Sequence, residues 1–161
     1  MIEQPELAFF LDTWRNQKGG ALVPLRSAFV PREYGRRLQW LVLAEALDDF
    51  TDFRFRLIGS RVTRYFGGDN TGKTVHNVFD DAFPAMGEFI CWAFRKACRN
   101  SIPIRFAGPA FALKKMFCPE YDSLCLPYSS DGDRSDQVLQ VFVFNPDRLT
   151  GSRDARRLEL E

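Results

Sequence analysis

The sequence predicts an α+β domain, an antiparallel sheet with helices packed on one face. Three observations carry that expectation. The run Phe53-Arg54-Phe55-Arg56-Leu57-Ile58-Gly59 alternates apolar and charged side chains, the period of a strand with one wet face. Residues 83, 86, 90, 93, 94 and 97 form an apolar stripe at helical spacing within 81–100. Gln137-Val138-Leu139-Gln140-Val141-Phe142-Val143-Phe144 reads as a second strand, closed by Asn145-Pro146. Strand pairs joined by short links, with the helices grouped between them, make an antiparallel sheet rather than a parallel one.

Each element follows from local signals. Over 6–17, apolar side chains at 7, 10, 11 and 14 predict an amphipathic helix. Gly19-Gly20 ends it and Pro24 opposes its resumption. Within 25–37, Pro31 followed by Arg32-Glu33-Tyr34 predicts a short helix with proline in its first turn. Residues 38–47 are largely apolar and fit strand or helix. Their neighbour decides, because Asp48-Asp49 joins them to the alternating run as a hairpin. Ser60 to Phe66 predicts a short helix with Ser60 as its N-cap, stopped by Gly67-Gly68. Asp69-Asn70-Thr71-Gly72-Lys73 is turn chemistry. The segment 81–100 is the longest helix, with Glu88, Arg95, Lys96 and Arg99 on its polar face. Extended segments follow at 102–107 (leading through Gly108-Pro109 to Ala110-Phe111), at 116–128, and at 137–144 after the loop 129–133. The chain thus divides into an N-terminal helical extension (1–37), a core (38–146) and a charged tail (147–161), the tail expected to be mobile or weakly helical.

Composition narrows the function. A chain of 161 residues with 45% hydrophobic and 27% charged side chains is one globular domain. Sixteen phenylalanines must line a core, a pocket or an interface, since the ring has no polar tip to satisfy. With Lys+Arg 22 against Asp+Glu 21, no net field draws the chain to nucleic acid or an anionic membrane, and surface ion pairs are the expected use of the arginines. No apolar run approaches the roughly 18–20 residues that span a bilayer. The start, Met-Ile-Glu-Gln-Pro-Glu, lacks the basic and apolar regions of a leader. Cys91, Cys98, Cys118 and Cys125 form no Cys-x-x-Cys pair, and Cys91 and Cys98 lie about 10 Å apart along their helix, too far to bridge. A cytoplasmic protein with reduced, mostly buried thiols is the expectation.

The element order strand-strand-helices-strand-strand-strand resembles that of PAS domains. The residues that carry the likeness are Trp14 with Gly19-Gly20 and Pro24-Leu25-Arg26, the run from Asp52 to Ser60, Phe66-Gly67 with Asp69-Asn70-Thr71-Gly72-Lys73, and Leu126-Pro127-Tyr128-Ser129 before the last strand. It spans residues 7–145 and is similar to a bacterial branch of single-domain PAS proteins abundant in alphaproteobacteria. The resemblance implies a PAS-like, five-stranded antiparallel sheet with helices on one face. It also implies a cytoplasmic sensory or interaction module in signalling, without naming a ligand. The chain as read holds no kinase, cyclase or DNA-binding segment, so output is expected to pass to a separate signalling protein.

Candidate chemistry is sparse. His76 is the only histidine, and it has no second ligand or acid obvious nearby in sequence. Haem-binding PAS domains use a histidine on the helix before the third strand, whereas His76 precedes the long helix, so haem is not expected. Flavin photoreceptors carry Asn-Cys-Arg-Phe-Leu, which has no counterpart here. Gly67-Gly68-Asp69-Asn70-Thr71-Gly72-Lys73-Thr74 satisfies the Gly-x4-Gly-Lys-[Ser/Thr] spacing. A phosphate loop, however, follows a buried strand and opens a long helix, and a turn between helices is the expected role. The acidic groups Asp48-Asp49-Asp52, Asp80-Asp81 and Asp131-Asp133-Asp136 lack calcium-loop spacing and read as solvated turns. Arg54 and Arg56 share one strand face and are expected to form ion pairs. No catalytic residue and no metal or cofactor site is expected.

The aromatic stock is the informative feature. Phe66, Phe79, Phe83, Met86, Phe89, Ile90, Phe106 and Val141 are the candidates to line a pocket for a small, largely apolar ligand between the long helix and the sheet. A filled phenylalanine core needs apolar residues at the same positions, so both readings stand. Phe10, Leu11 and Trp14 either pack on the sheet or pair two chains as a homodimer. Three functions follow: a sensory module binding a small apolar molecule or a protein partner; an interaction or dimerisation domain with a filled core; and, least supported, a small cone-like α+β enzyme needing an acid–base group in its cavity.

Overall fold

Pro5 in the first turn and Gly19, at φ +51°, bound helix α1 (Pro5–Lys18), whose stripe of Leu7, Phe10 and Trp14 is buried. The computed structural model describes residues 3–113 and 116–145. After α1 the chain runs through two 3₁₀ segments, Arg26–Ala28 and Pro31–Trp40, the second broken at Gly35. The second helix expected over 25–37 is therefore 3₁₀ rather than α, and Gly35, at φ +52°, interrupts its ladder of helical bonds.

Strand β1 (Leu41–Leu47) turns through Asp48–Phe50 into β2 (Asp52–Ile58), forming the expected hairpin. Helices α2 (Ser60–Tyr65), α3 (Val75–Phe79) and α4 (Pro84–Asn100) follow. The expectation for α4 put its start at Asp81; proline sets the true start at Pro84, its first helical residue. The expected cap is also corrected. Gly59, not Ser60, precedes α2, and no side-chain cap bond forms. Glycine is required there by space: a Cβ on Gly59 would lie 2.3 Å from the Leu38 carbonyl oxygen.

The chain then forms β3 (Ile104–Gly108), a small hairpin of β4 (Phe111–Leu113) and β5 (Met116–Cys118), and the long strands β6 (Glu120–Ser129) and β7 (Ser135–Asn145). The segment 116–128, expected as one strand, is split at Pro119, which lacks a ladder donor. The main sheet is five-stranded and antiparallel in the order β2-β1-β7-β6-β3. This is the α+β architecture the sequence predicts.

The sheet is covered on both faces. Val42, Ala44, Phe53, Phe55, Val138 and Phe142 face α2, α3 and α4. Leu41, Leu43, Leu124, Leu126, Leu139 and Val141 face α1 and the 3₁₀ segments. Burying Leu7, Phe10 and Trp14 contributes about 1.5–3 kcal/mol each. Polar ties fix the orientation of α1. The Trp14 indole N–H donates to the Pro127 carbonyl at 2.7 Å, and the Tyr128 hydroxyl donates to Gln17 Oε1 at 2.8 Å.

This second layer decides one open alternative and overturns one expectation. Phe10 and Trp14, offered as a dimer interface, are 2% and 3% exposed because they pack on the sheet, with Leu11 half-buried against the same cluster. Val141, offered as a pocket residue, sits on the α1 face. Successive strand residues alternate sides, and the α4 face takes Val138, Gln140, Phe142 and Phe144 instead.

Candidate functional site

The expected pocket residues divide between two places. Phe66, Phe79 and Ile90 line a partly open hollow of about 30 Å³ between the helices and the sheet, beside Phe55, Gln140 and Phe142 and under the loop at Gly68 and Asn70. That is room for about two water molecules, against the roughly 300–1,000 Å³ of a small-molecule site. Aromatic rings fill the rest: Phe66 meets Phe79 at 5.9 Å and Phe142 at 6.1 Å, both near edge-to-face. Phe142 was missed from the sequence, although its two-residue offset from Gln140 and Phe144 places it on this face.

Phe83, Met86 and Phe89 instead line an open cleft of about 350 Å³ between the start of α4 and β3, closed at one end by Pro109 and Phe111. Phe106 packs beside this cleft, its ring edge-on to Phe89 at 5.0 Å. Phe89 also stacks on Trp92 at 5.8 Å, and the two are 36% and 46% exposed. The Lys96 ammonium lies 4.9 Å from the Trp92 ring. The result is a solvent-facing aromatic edge on α4.

The resemblance of 67–74 to a phosphate loop is explained by strand pairing. The Gly72 N–H donates to the Phe55 carbonyl at 2.7 Å, and the Phe55 N–H donates to the Lys73 carbonyl at 3.0 Å. The loop thereby covers the free edge of β2. Its following helix, α3, has five residues and is capped by the Thr74 hydroxyl, which accepts from the Asn77 N–H at 3.2 Å. The loop therefore serves as a turn with its central amide and carbonyl already used. The acidic turns behave similarly. The Asp131 carboxylate accepts from the Asp133 backbone at 2.8 Å, and such bonds hold it below the usual carboxylate range. Arg56 pairs across the hairpin with Glu45 at 3.5 Å.

His76 was expected to stand apart from any acid or second ligand. Local helix geometry supplies the acid and tertiary packing the second ligand. On α3, its Nδ1 lies 2.9 Å from Asp80 Oδ1, one helical turn on, and its Nε2 lies 3.7 Å from Cys91 Sγ on α4. The Cys91 thiol also reaches Asp52 Oδ1 at 3.9 Å, at the start of β2. Ligand atoms of Asp52, His76 and Cys91 all fall within 4.8 Å of one another. The hydrogen bond that His76 Nδ1–H donates to Asp80 raises the His76 pKa above its ordinary value, against the opposing effect of desolvation.

Cys91, His76 and Asp80 have the connectivity of a thiol-protease triad, yet not its chemistry. Cys91 is 0% exposed, and burial, reinforced by Asp52, pushes its thiol up to about 12. An activated thiolate needs the reverse, a lowered pKa and an open approach. Cys98, Cys118 and Cys125 are likewise free and buried, with pKa values raised chiefly by burial.

Among the described residues, no helix is long and apolar enough to cross a membrane. No curated protein matches the chain. A solved domain of an HTR-like protein from Haloarcula marismortui ATCC 43049 is similar with a TM-score of 0.46 and 14% identity, over 65% of this chain and 96% of that one. The family model described as PAS domain matches residues 2–142. With that match across the α1 layer, the helices and all five strands of the main sheet, the chain belongs to the PAS domain family.

Proposed function

We propose that this sensory and signalling module passes its signal by protein contact at the aromatic edge of α4, and catalyses no reaction of its own. One observation carries the reading. The hollow between the helices and the sheet is about 30 Å³, whereas Phe89 and Trp92 are partly exposed beside a cleft of about 350 Å³. Aromatic side chains in such a setting are the usual anchors of protein interfaces. Lys96 and Arg99, exposed on the same helix, favour a partner segment whose apolar side chain enters the cleft between flanking carboxylates. The buried Cys91 thiol is closed to substrate, which supports the non-catalytic part of the reading. The four free thiols fit a cytoplasmic setting.

A photo-crosslinking residue at position 92, compared with one at exposed Asp12 on α1, tests the proposal in cells. A discrete protein adduct from position 92, absent from position 12 and lost with Phe89→Ser, is expected; equal adducts at both positions overturn it. A second reading, a small apolar ligand, is favoured by the cleft volume alone. Native mass spectrometry of the untreated protein separates the two, since a bound small molecule lost in Phe89→Ser would transfer the function to that reading. An adduct between two copies of the chain would identify homodimerisation instead.

A further inference from the structure

We propose that Asp52, His76 and Cys91 form a binding site for one zinc-class divalent cation, joining β2, α3 and α4. This is independent of the contact proposed for the α4 edge. The ligands come from positions 52, 76 and 91, so no local turn accounts for their convergence. A tetrahedral zinc ion with Zn–S of about 2.3 Å and Zn–N of about 2.0–2.1 Å holds its sulfur and nitrogen about 3.5 Å apart. Here Cys91 Sγ stands 3.7 Å from His76 Nε2 and 3.9 Å from Asp52 Oδ1. These two edges close with side-chain adjustments of a few tenths of an ångström, while the edge between His76 and Asp52, within 4.8 Å, closes by rotation of the two partly exposed side chains toward the ion.

The surroundings match what such an ion needs. The bond between His76 Nδ1 and Asp80 fixes a tautomer that protonates Nδ1 and leaves the Nε2 lone pair facing the thiol. A carboxylate behind a ligating histidine is the common supporting arrangement in zinc sites. Asp52 is held by the Phe53 N–H, which donates to Oδ1 at 2.8 Å, and more distantly by the His76 N–H at 3.4 Å. Cys91 is the buried ligand, while Asp52 and His76 are partly exposed and stand on its solvent side. Three protein ligands leave a fourth position for water. One sulfur, one imidazole and one carboxylate favour zinc over calcium or magnesium, which prefer all-oxygen sets. Binding replaces the S–H proton, which passes to solvent as the metal–sulfur bond forms; no electrons are transferred.

The test titrates the metal-stripped full chain with Co²⁺ as a spectroscopic probe and then with Zn²⁺. One equivalent of Co²⁺ is expected to give a sulfur-to-cobalt charge-transfer absorption, which Zn²⁺ abolishes by displacement. Zn²⁺ is also expected to raise the melting temperature. Cys91→Ser should remove the absorption, and Asp80→Asn should weaken Zn²⁺ binding about 10–100-fold. His76→Gln should weaken it further, while Cys98→Ser, which alters another buried thiol on α4, should leave binding unchanged. Far-ultraviolet circular dichroism establishes that each variant folds. If Cys91→Ser does not, the half-exposed His76→Gln carries the test. Absence of the charge-transfer absorption, its survival in Cys91→Ser, or undiminished Zn²⁺ affinity in His76→Gln overturns the proposal.

Discussion

A methyl group at residue 59 would have nowhere to go. Its Cβ would sit 2.3 Å from the Leu38 carbonyl oxygen and 2.4 Å from the Gln39 carbonyl carbon, both backbone atoms that cannot swing aside. Gly59→Ala is therefore expected to cost about 1–3 kcal/mol, at the upper end because backbone must move, and to lower the urea midpoint accordingly. Side-chain identity is constrained in the same spatial way at Trp14. Its ring is buried on the sheet and its N–H is satisfied by Pro127, so its role is to hold α1 rather than to meet another chain. Cys91 makes the complementary point: a thiol flanked by a histidine and an aspartate is kept protonated by burial, whatever its neighbours suggest.

At the scale of elements, the turn between β1 and β2 is where the backbone departs furthest from ordinary conformations. Asp48, Asp49 and Phe50 have φ of +45°, +55° and +68°. Residues with a Cβ resist this region by roughly 1–2 kcal/mol each, Asp less than most. The turn is retained by tertiary bonds, with Arg95 Nε donating to the Phe50 carbonyl at 2.9 Å and the Arg134 guanidinium 5.2 Å from the Phe50 ring. Asp49 is exposed, so Asp49→Gly should relieve strain without loss of packing. An increase in stability of about 0.5–1 kcal/mol is expected, read from the thermal or urea midpoint. A decrease would mean that the Asp49 side chain supports the turn. The loop 67–74 shows the same dependence on a neighbour, for Gly72 and Lys73 are held by pairing with Phe55 of β2.

For the molecule as a whole, the decisive feature is that both sheet faces are apolar and both are covered. Residues 3–37 are consequently a structural layer of the domain. A chain beginning at residue 38 would expose Leu41, Leu43, Leu124, Leu126, Leu139 and Val141. It is expected to lose cooperative unfolding and to aggregate, as read by calorimetry and light scattering. Recovery of a monomeric, cooperatively melting truncation would overturn that view.

The sequence by itself determined the main elements (α1, the β1–β2 hairpin, α4 and β7), their order and the antiparallel class, but not the 3₁₀ character of 26–40 or the split at Pro119. These follow from the strand alternation of 53–59, the stripe of 83–97 and the punctuation by Gly19, Pro31, Gly67 and Pro146, all local periodicities and turn chemistry. It also fixed that α1 has an apolar face, while leaving open whether that face met the sheet or a second chain. Tertiary structure decided the rest. Val141 and Phe142 are both apolar, and with both faces of β7 buried nothing in the alternation says which face belongs to α4. The phenylalanines fit a filled interior and a cavity equally well, since volume depends on how rings interlock rather than on their spacing. The meeting of Asp52, His76 and Cys91 was equally illegible, because their convergence depends on β2, α3 and α4 packing together.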